Sequence, residues 1–291
     1  MTSIRTALRR LLPPLLSRIP SFRGKGRMTL ALDALLTDST DPASYLVDGV
    51  LNHGVPFRFD VRGWSQKFAY YYRELEGDYV AALRKLYCGG VFVDVGSSIG
   101  LYVVGMADLV RGQGGRVAAF EPMPFNLERQ RQNIDLNEAG DVVDVYPFAL
   151  GARDAVLYMQ GDPLRADNNA FIATSGDVAV QVRRLDDLAR SWPRIGLMKI
   201  DIEGFEPPML EGAREAIERD RPVIFAEFNR ERMAINGFTM DETWRWFTER
   251  GFRFFILDRR RLVALDAPAM HENLFVIPSE EIERAIAATT S

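Results

Sequence analysis

The stretch VFVDVGSSIG, Val91 to Gly100, decides the fold. Its apolar run reads as a strand buried on both faces. The chain then turns through Gly96 and enters a helix at Gly100. Such a strand, turn and helix form the entry to a nucleotide-type cofactor pocket, because open α/β sheets place ligands just beyond the carboxyl ends of their strands. Gly96 is expected to let the backbone approach a ligand and Gly100 to let the helix pack closely on the strand. Ser98 stands where the dinucleotide motif G-x-G-x-x-G has the glycine that admits a pyrophosphate. A cofactor without a pyrophosphate is therefore expected. S-adenosyl-L-methionine fits, with the Asp94 carboxylate facing its amino group and the tight turn beside its amino-acid moiety.

Outward from this stretch the pattern is regular. Strand-like runs occur at Arg116–Phe120, Val142–Phe148, Leu197–Asp201, Pro222–Phe228, Arg253–Leu257 and Asn273–Ile277. Helical spacing occupies Leu101–Val110, Pro124–Glu138 and Glu206–Arg219. This alternation predicts βαβ units and a mainly parallel sheet. The last runs are expected to follow one another without a long helix, giving the sheet an antiparallel end. Ala155–Gln160 and Val178–Arg184 read as a hairpin around the polar loop Gly161–Asp177, in which Asp162, Arg165, Asp167, Asn168, Asn169 and Ser175 suit a substrate-facing lid. Glu121 ends the second strand, where an acidic side chain accepts hydrogen bonds from both ribose hydroxyls.

Composition narrows the functional classes. A net charge of −4 argues against a nucleic-acid binder. The single cysteine, Cys88, rules out an intrachain disulfide and a cysteine-rich zinc site, and two histidines, His53 and His271, leave no multi-histidine metal site. This composition fits a reducing cytoplasm. Residues 1–27 hold seven of the 36 basic residues and no acid, so the rest of the chain carries 29 against 40. Within them the apolar run Leu11–Leu16 is short and broken by Pro13-Pro14, which supports neither a signal peptide nor a membrane span. Two readings remain for this arm. One is a basic amphipathic segment touching anionic lipid at the inner face of the membrane. The other, preferred because two prolines hinder a continuous helix, is a frayed and solvated terminus.

Residues 28–89 read as a helical and mixed cap before a domain spanning 90–291. Thr29–Leu36 and Gly77–Tyr87 have helical spacing, and Pro56–Val61 alternates as a strand. Between them Trp64, Phe68, Tyr70, Tyr71 and Tyr72 form an aromatic cluster, read as core in preference to a stacking surface for a sugar or adenine. His53 reads as a turn residue in preference to a base.

The motifs VFVDVGSSIGLY, AFEPMPFNLERQRQN, ALGARDAVLYM, RLDDL, MKIDIEGFEPPMLEGA and PVIFAEF occur in that order. With them the chain resembles the FkbM family of S-adenosylmethionine-dependent methyltransferases from about Gly77 to Phe228, and more weakly to the end. Ser97-Ser98 stand where the family often has Ala-Asn. The resemblance implies a class I methyltransferase fold: a Rossmann-like, seven-stranded, mainly parallel sheet with an antiparallel end and a mixed extension before it. It implies S-adenosyl-L-methionine bound through Asp94, Gly96, Ser97, Gly100, Glu121, Pro122 and Ala149. It also implies methylation of a hydroxyl, often on a sugar or secondary metabolite.

The reaction centre is expected at Asp201, on the strand predicted to lie beside the Val91 strand. An aliphatic hydroxyl is a poor nucleophile until its proton is taken, and Asp201 or Glu203 is the candidate base. Alternatively Asp201 and Glu227 help hold a divalent cation such as magnesium that lowers the hydroxyl's pKa. Lys199, two residues before Asp201, is expected to face the same side and pair with a neighbouring carboxylate. The acceptor read from the resemblance is a sugar hydroxyl in a glycan, glycolipid or glycosylated metabolite. N- or carboxyl-O-methylation of a small metabolite, or a catalytically silent cofactor-binding protein, are the competing readings.

Overall fold

The computed structural model describes residues 4–20, 22–37, 41–51, 54–161, 171–173, 176–268 and 272–290. His53, His271 and the lid positions Asp162, Arg165, Asp167, Asn168, Asn169 and Ser175 lie outside the described residues. Two compact units divide at Gly77/Asp78.

The first unit holds α1 (Ile4–Leu16), α2 (Lys25–Leu36), the antiparallel hairpin β1 (Leu46–Leu51) and β2 (Val55–Asp60), and α3 (Trp64–Tyr72). Helix α1 runs through Pro13 and Pro14, which corrects the expectation of a frayed terminus. A proline withdraws the N–H that would bond the carbonyl four residues earlier. For Pro13 that carbonyl belongs to Arg9, and the Tyr70 hydroxyl donates to it at 3.2 Å. The Arg9 side chain is buried, ion-paired with Asp33 and donating to the Ser44 carbonyl at 2.6 Å. Asp33 also receives the Lys67 ammonium at 2.9 Å and the Tyr71 hydroxyl at 2.9 Å. Tyr70 and Tyr71 pack edge-on beside Phe59, so this part of the aromatic cluster is core, while Trp64 is exposed.

The second unit opens with α4 (Gly77–Leu86) and continues with β3 (Val91–Val95), α5 (Leu101–Gly112), β4 (Arg116–Phe120), α6 (Pro124–Leu136) and β5 (Val143–Tyr146). A small sheet follows, made of β6 (Ala149–Leu150), β7 (Ala155–Gln160), β8 (Phe171–Ala173) and β9 (Val178–Arg183) in the order β6-β9-β7-β8. Then come α7 (Leu185–Ala189), β10 (Ile195–Ile200), α8 (Glu206–Gly212), α9 (Arg214–Asp220) and β11 (Val223–Glu227). The chain ends with α10 (Arg230–Ile235), α11 (Met240–Thr248), β12 (Phe252–Asp258), β13 (Arg261–Leu265), β14 (Asn273–Pro278) and α12 (Ile282–Thr290).

The main sheet has the order β13-β12-β14-β11-β10-β3-β4-β5. Strands β5, β4, β3, β10 and β11 are parallel, and β14, β12 and β13 form the antiparallel end. The count is eight where seven were expected, because Arg261–Leu265 folds back on β12 as an extra edge strand. β10 lies beside β3, as the position of Asp201 requires. The centre of the sheet is buried on both faces. On one face Val93, Val95, Met198, Ile200 and Ala226 pack with Met209, Leu210 and Ile217. On the other, Phe225 stacks on Tyr79 at 4.9 Å and meets Tyr102 at 6.0 Å.

Other boundaries depart from the expected ones for local reasons. Pro147 separates β5 from β6, so Val142–Phe148 is not one strand. The expected helix Glu206–Arg219 breaks at Ala213, next to Gly212, whose missing side chain leaves room for the Gly151 carbonyl. Two short helices, α10 and α11, precede β12, where only the lack of a long helix was expected. α11 starts with a capping box in which Thr239 and Glu242 satisfy each other's backbone N–H groups.

If the Tyr70 hydroxyl substitutes for the N–H that Pro13 lacks, Tyr70→Phe lowers stability by about 1 kcal/mol in urea unfolding. In the Pro13→Ala background, which restores an N–H to bond the Arg9 carbonyl, that cost shrinks measurably.

Candidate active site

The turn after β3 is held from three sides. The Gly96 and Ser97 amides both donate to the Phe120 carbonyl at the end of β4, at 3.0 and 2.9 Å. From α6, Gln130 Nε2 donates to Ser97 Oγ at 2.5 Å, and Asn133 donates to the Ile99 carbonyl at 2.9 Å. From β10, the Lys199 ammonium donates to the Gly96 carbonyl at 2.7 Å. Gly96 is left-handed (φ 75°), and a Cβ there would strike the carbonyl oxygen of Asp201. Close approach of the β10 end, more than room for a ligand, is thus what demands glycine. Gly100 (φ 91°) would bring a Cβ to 3.2 Å from the Gln130 side chain, so its closest constraint is α6.

Parallel register aligns Asp94 with Lys199, and Ile200 with Val95 and Ala226. Asp201 therefore emerges one residue past β10, beside Glu227 at the end of β11. Asp94 is fully buried, with the Lys199 ammonium 3.4 Å away. The same ammonium lies 3.6 Å from Asp201, whose side chain is 36% exposed. Lys199 is thus the paired lysine expected from sequence, and it joins Asp94, the turn and Asp201 into one polar row.

Glu121 lies just past β4, nearly buried at 4% exposure. Its Oε2 accepts the Ser98 amide at 2.9 Å and its Oε1 the Met123 amide at 2.8 Å. Burial outweighs these bonds and raises its pKa to about 7. Pro122 beside it is half-buried, and so is Ala149 in β6. Glu203 sits in a left-handed turn (φ 52°), where Asn229 Nδ2 donates to its Oε2 at 3.1 Å, drawing it toward the start of α10.

Glu206, within the motif MKIDIEGFEPPMLEGA, is not among the candidate residues that sequence alone singles out. It is fully buried, and its Oε1 accepts the Ile202 and Gly204 amides at 3.3 and 3.1 Å, capping the turn that follows β10. Burial, followed in effect by the nearby Asp201 charge among the raising influences, puts its pKa at about 7. The Gly204-x-Glu206 spacing at a helix start was the available signal. Gln130 and Asn133, which brace the turn, carried no signal beyond their place on α6.

The donor set fits S-adenosyl-L-methionine. Asp94, Asp201 and Glu121 gather acceptors around the turn, which suits an ammonium, a sulfonium and two ribose hydroxyls. It fits a divalent cation less well. Among the described residues no group of three or more His, Cys, Asp or Glu side chains is arranged to hold a metal.

A mainly parallel sheet with this switch point between β3 and β10, and carboxylates at the ends of β3 and β4, defines a class I methyltransferase fold. Residues 94–254, more than half of the chain, match the Methyltransferase FkbM domain, and the chain belongs to that family. It is 27% identical over 136 residues to hexuronic acid methyltransferase AglP of Haloferax volcanii, covering 46% of this chain and 54% of that protein. It is 26% identical over 144 residues to Methyltransferase 1 of Beauveria bassiana, covering 41% and 57%. The chain thus spans just over half the length of these curated relatives. A crystal structure of Methyltransferase FkbM from Methylobacillus flagellatus aligns with 94% of this chain and 59% of its own, at 18% identity and a TM-score of 0.45.

Two outcomes follow from this geometry. Gly96→Ala destabilises the protein by more than ~3 kcal/mol, read by urea unfolding, since a left-handed alanine adds its own strain to the clash with the Asp201 carbonyl. Glu206 holds its proton more tightly folded than unfolded, so the stability it lends is complete below the unfolded value near 4.5 and is lost as pH rises toward about 7. Glu206→Gln therefore flattens the fall of melting temperature between these pH values relative to wild type.

Proposed function

We propose that the chain is an S-adenosyl-L-methionine-dependent O-methyltransferase whose acceptor is a sugar, as a glycan, glycolipid or glycosylated metabolite. The observation that carries the reading is the polar row at the strand ends: buried Asp94, bridging Lys199 and partly exposed Asp201, in register on adjacent strands. AglP, a relative whose name specifies a hexuronic acid, supports a sugar acceptor.

When bound, S-adenosyl-L-methionine supplies a methyl group made electrophilic by its sulfonium sulfur. Asp94 would hold its amino group and Glu121 its ribose, with Gly96, Ser97 and Gly100 shaping the turn and Pro122 and Ala149 alongside. Asp201 would receive the acceptor's hydroxyl proton, so that the oxygen could take the methyl group from sulfur to give a methyl ether, with S-adenosylhomocysteine as the other product. Lys199 holds Asp201 at the strand end, and orientation contributes most of the acceleration. Asp201 is preferred to Glu203 as the base because it is the carboxylate that both adjoins this row and reaches solvent. Glu203 is held by Asn229.

A second reading has support from the same relative. A hexuronic acid offers a carboxylate as well as hydroxyls, and a carboxylate needs no base to accept a methyl group. Radiolabelled methyl transfer into fractionated glycans, lipids and free uronic acids separates the two. For hydroxyl methylation, Asp201→Asn lowers kcat by about 10²–10⁴ with little change in the KM for S-adenosyl-L-methionine, and the label resists alkali. Turnover that survives Asp201→Asn, with alkali-labile label, establishes the ester instead. No transfer to any fraction, with the cofactor bound, refutes both.

A further inference from the structure

Helix α1 is built inside out. Leu8, Leu11 and Leu15, spaced three and four residues apart, share one face and are 49%, 62% and 58% exposed. Arg9, Pro13 and Leu16 share the other face and are buried. A helix of a soluble unit ordinarily buries its leucines and leaves its arginines in water. Here Asp33, the Ser44 carbonyl and the Tyr71 hydroxyl are all arranged to receive Arg9, so this orientation is specified by the fold. Beyond the helix Ile19 and Phe22 are also exposed, at 38% and 50%.

The charge around the stripe points to its occupant. Residues 1–27 hold seven basic residues and no acid. Arg10, Arg18, Arg23 and Arg27 are exposed, and the nearby Asp33 is taken up by Arg9 and Lys67. No helix among the described residues is long and apolar enough to cross a membrane, and α1 has 13 residues. An exposed leucine stripe flanked by exposed arginines matches the two parts of an anionic bilayer surface, acyl boundary and headgroup. We propose that α1 and the turn after it dock the protein on anionic lipid, with Leu8, Leu11, Leu15, Ile19 and Phe22 entering the interface and Arg18 and Arg23 contacting headgroup phosphates. The proposal is independent of the acceptor chemistry above.

The test is co-sedimentation of the full chain with vesicles of phosphatidylcholine alone and of phosphatidylcholine mixed with phosphatidylglycerol. The expected result is partitioning onto the mixed vesicles that weakens with added salt. Leu11→Glu/Leu15→Glu then lowers partitioning by at least ~10-fold with an unchanged thermal melt. Arg18→Gln/Arg23→Gln, which removes surface charge alone, lowers it by roughly tenfold on the mixed vesicles and leaves phosphatidylcholine unaffected. Failure of the wild type to bind mixed vesicles, or undiminished binding by either double variant, overturns the proposal. So does a dimer in light scattering that Leu11→Glu/Leu15→Glu converts to monomer, which would assign the stripe to a second copy.

Discussion

A single ammonium group ties the candidate site together. Lys199 is nearly buried, and a buried charge survives only where partners surround it. It donates to the Gly96 carbonyl, lies against Asp94 and reaches toward Asp201. These partners come from two strands more than a hundred residues apart in sequence. The ammonium therefore couples the shape of the turn after β3 to the position of Asp201 after β10. The turn's second constraint is steric: the Asp201 carbonyl occupies the place where any side chain at position 96 would go. The electrostatic and steric ties act on the same two strand ends, so the two halves of the site are built as one.

Carboxylates around this row are sorted by environment. Asp94 is buried beside a cation, and Asp201 shares that cation at the edge of solvent. Glu121 and Glu206 are pushed up to about 7, mainly by burial, which for Glu121 outweighs the opposing pull of the Lys199 charge. Both bind backbone amides, and both shape a turn at a strand end. This division separates the two glutamates bonded to backbone amides from Asp201, the partly exposed carboxylate of the row.

Much of the main sheet was legible because its strands are short, apolar and separated by helices. β4 matches its predicted limits and β3 starts at Val91 as expected, since burial on both faces leaves a largely apolar run. The extra strand β13 was not legible. Its sequence, RLVAL, has exposed positions and pairs on one side alone, so its apolar signal is weak. In the first unit, Pro13-Pro14 argued against a helix on local grounds. A hydroxyl brought by Tyr70, sixty-one positions from Arg9, answers part of that objection. No local rule anticipates a partner at that separation.

By itself the sequence determined the α/β class, the cofactor-type turn, the neighbouring strand that carries Asp201, and the family resemblance, because apolar periodicity, glycine placement and motif order are local properties of the chain. The tertiary structure alone decided that Gly96 is a glycine on account of Asp201, that Glu203 is drawn away toward Asn229, and that Glu206 is buried beneath the site. It alone decided that α1 buries Arg9 and shows Leu8, Leu11 and Leu15 to solvent. Each of these depends on which distant groups meet, and such meetings are set by strand register and packing, which no window of sequence contains.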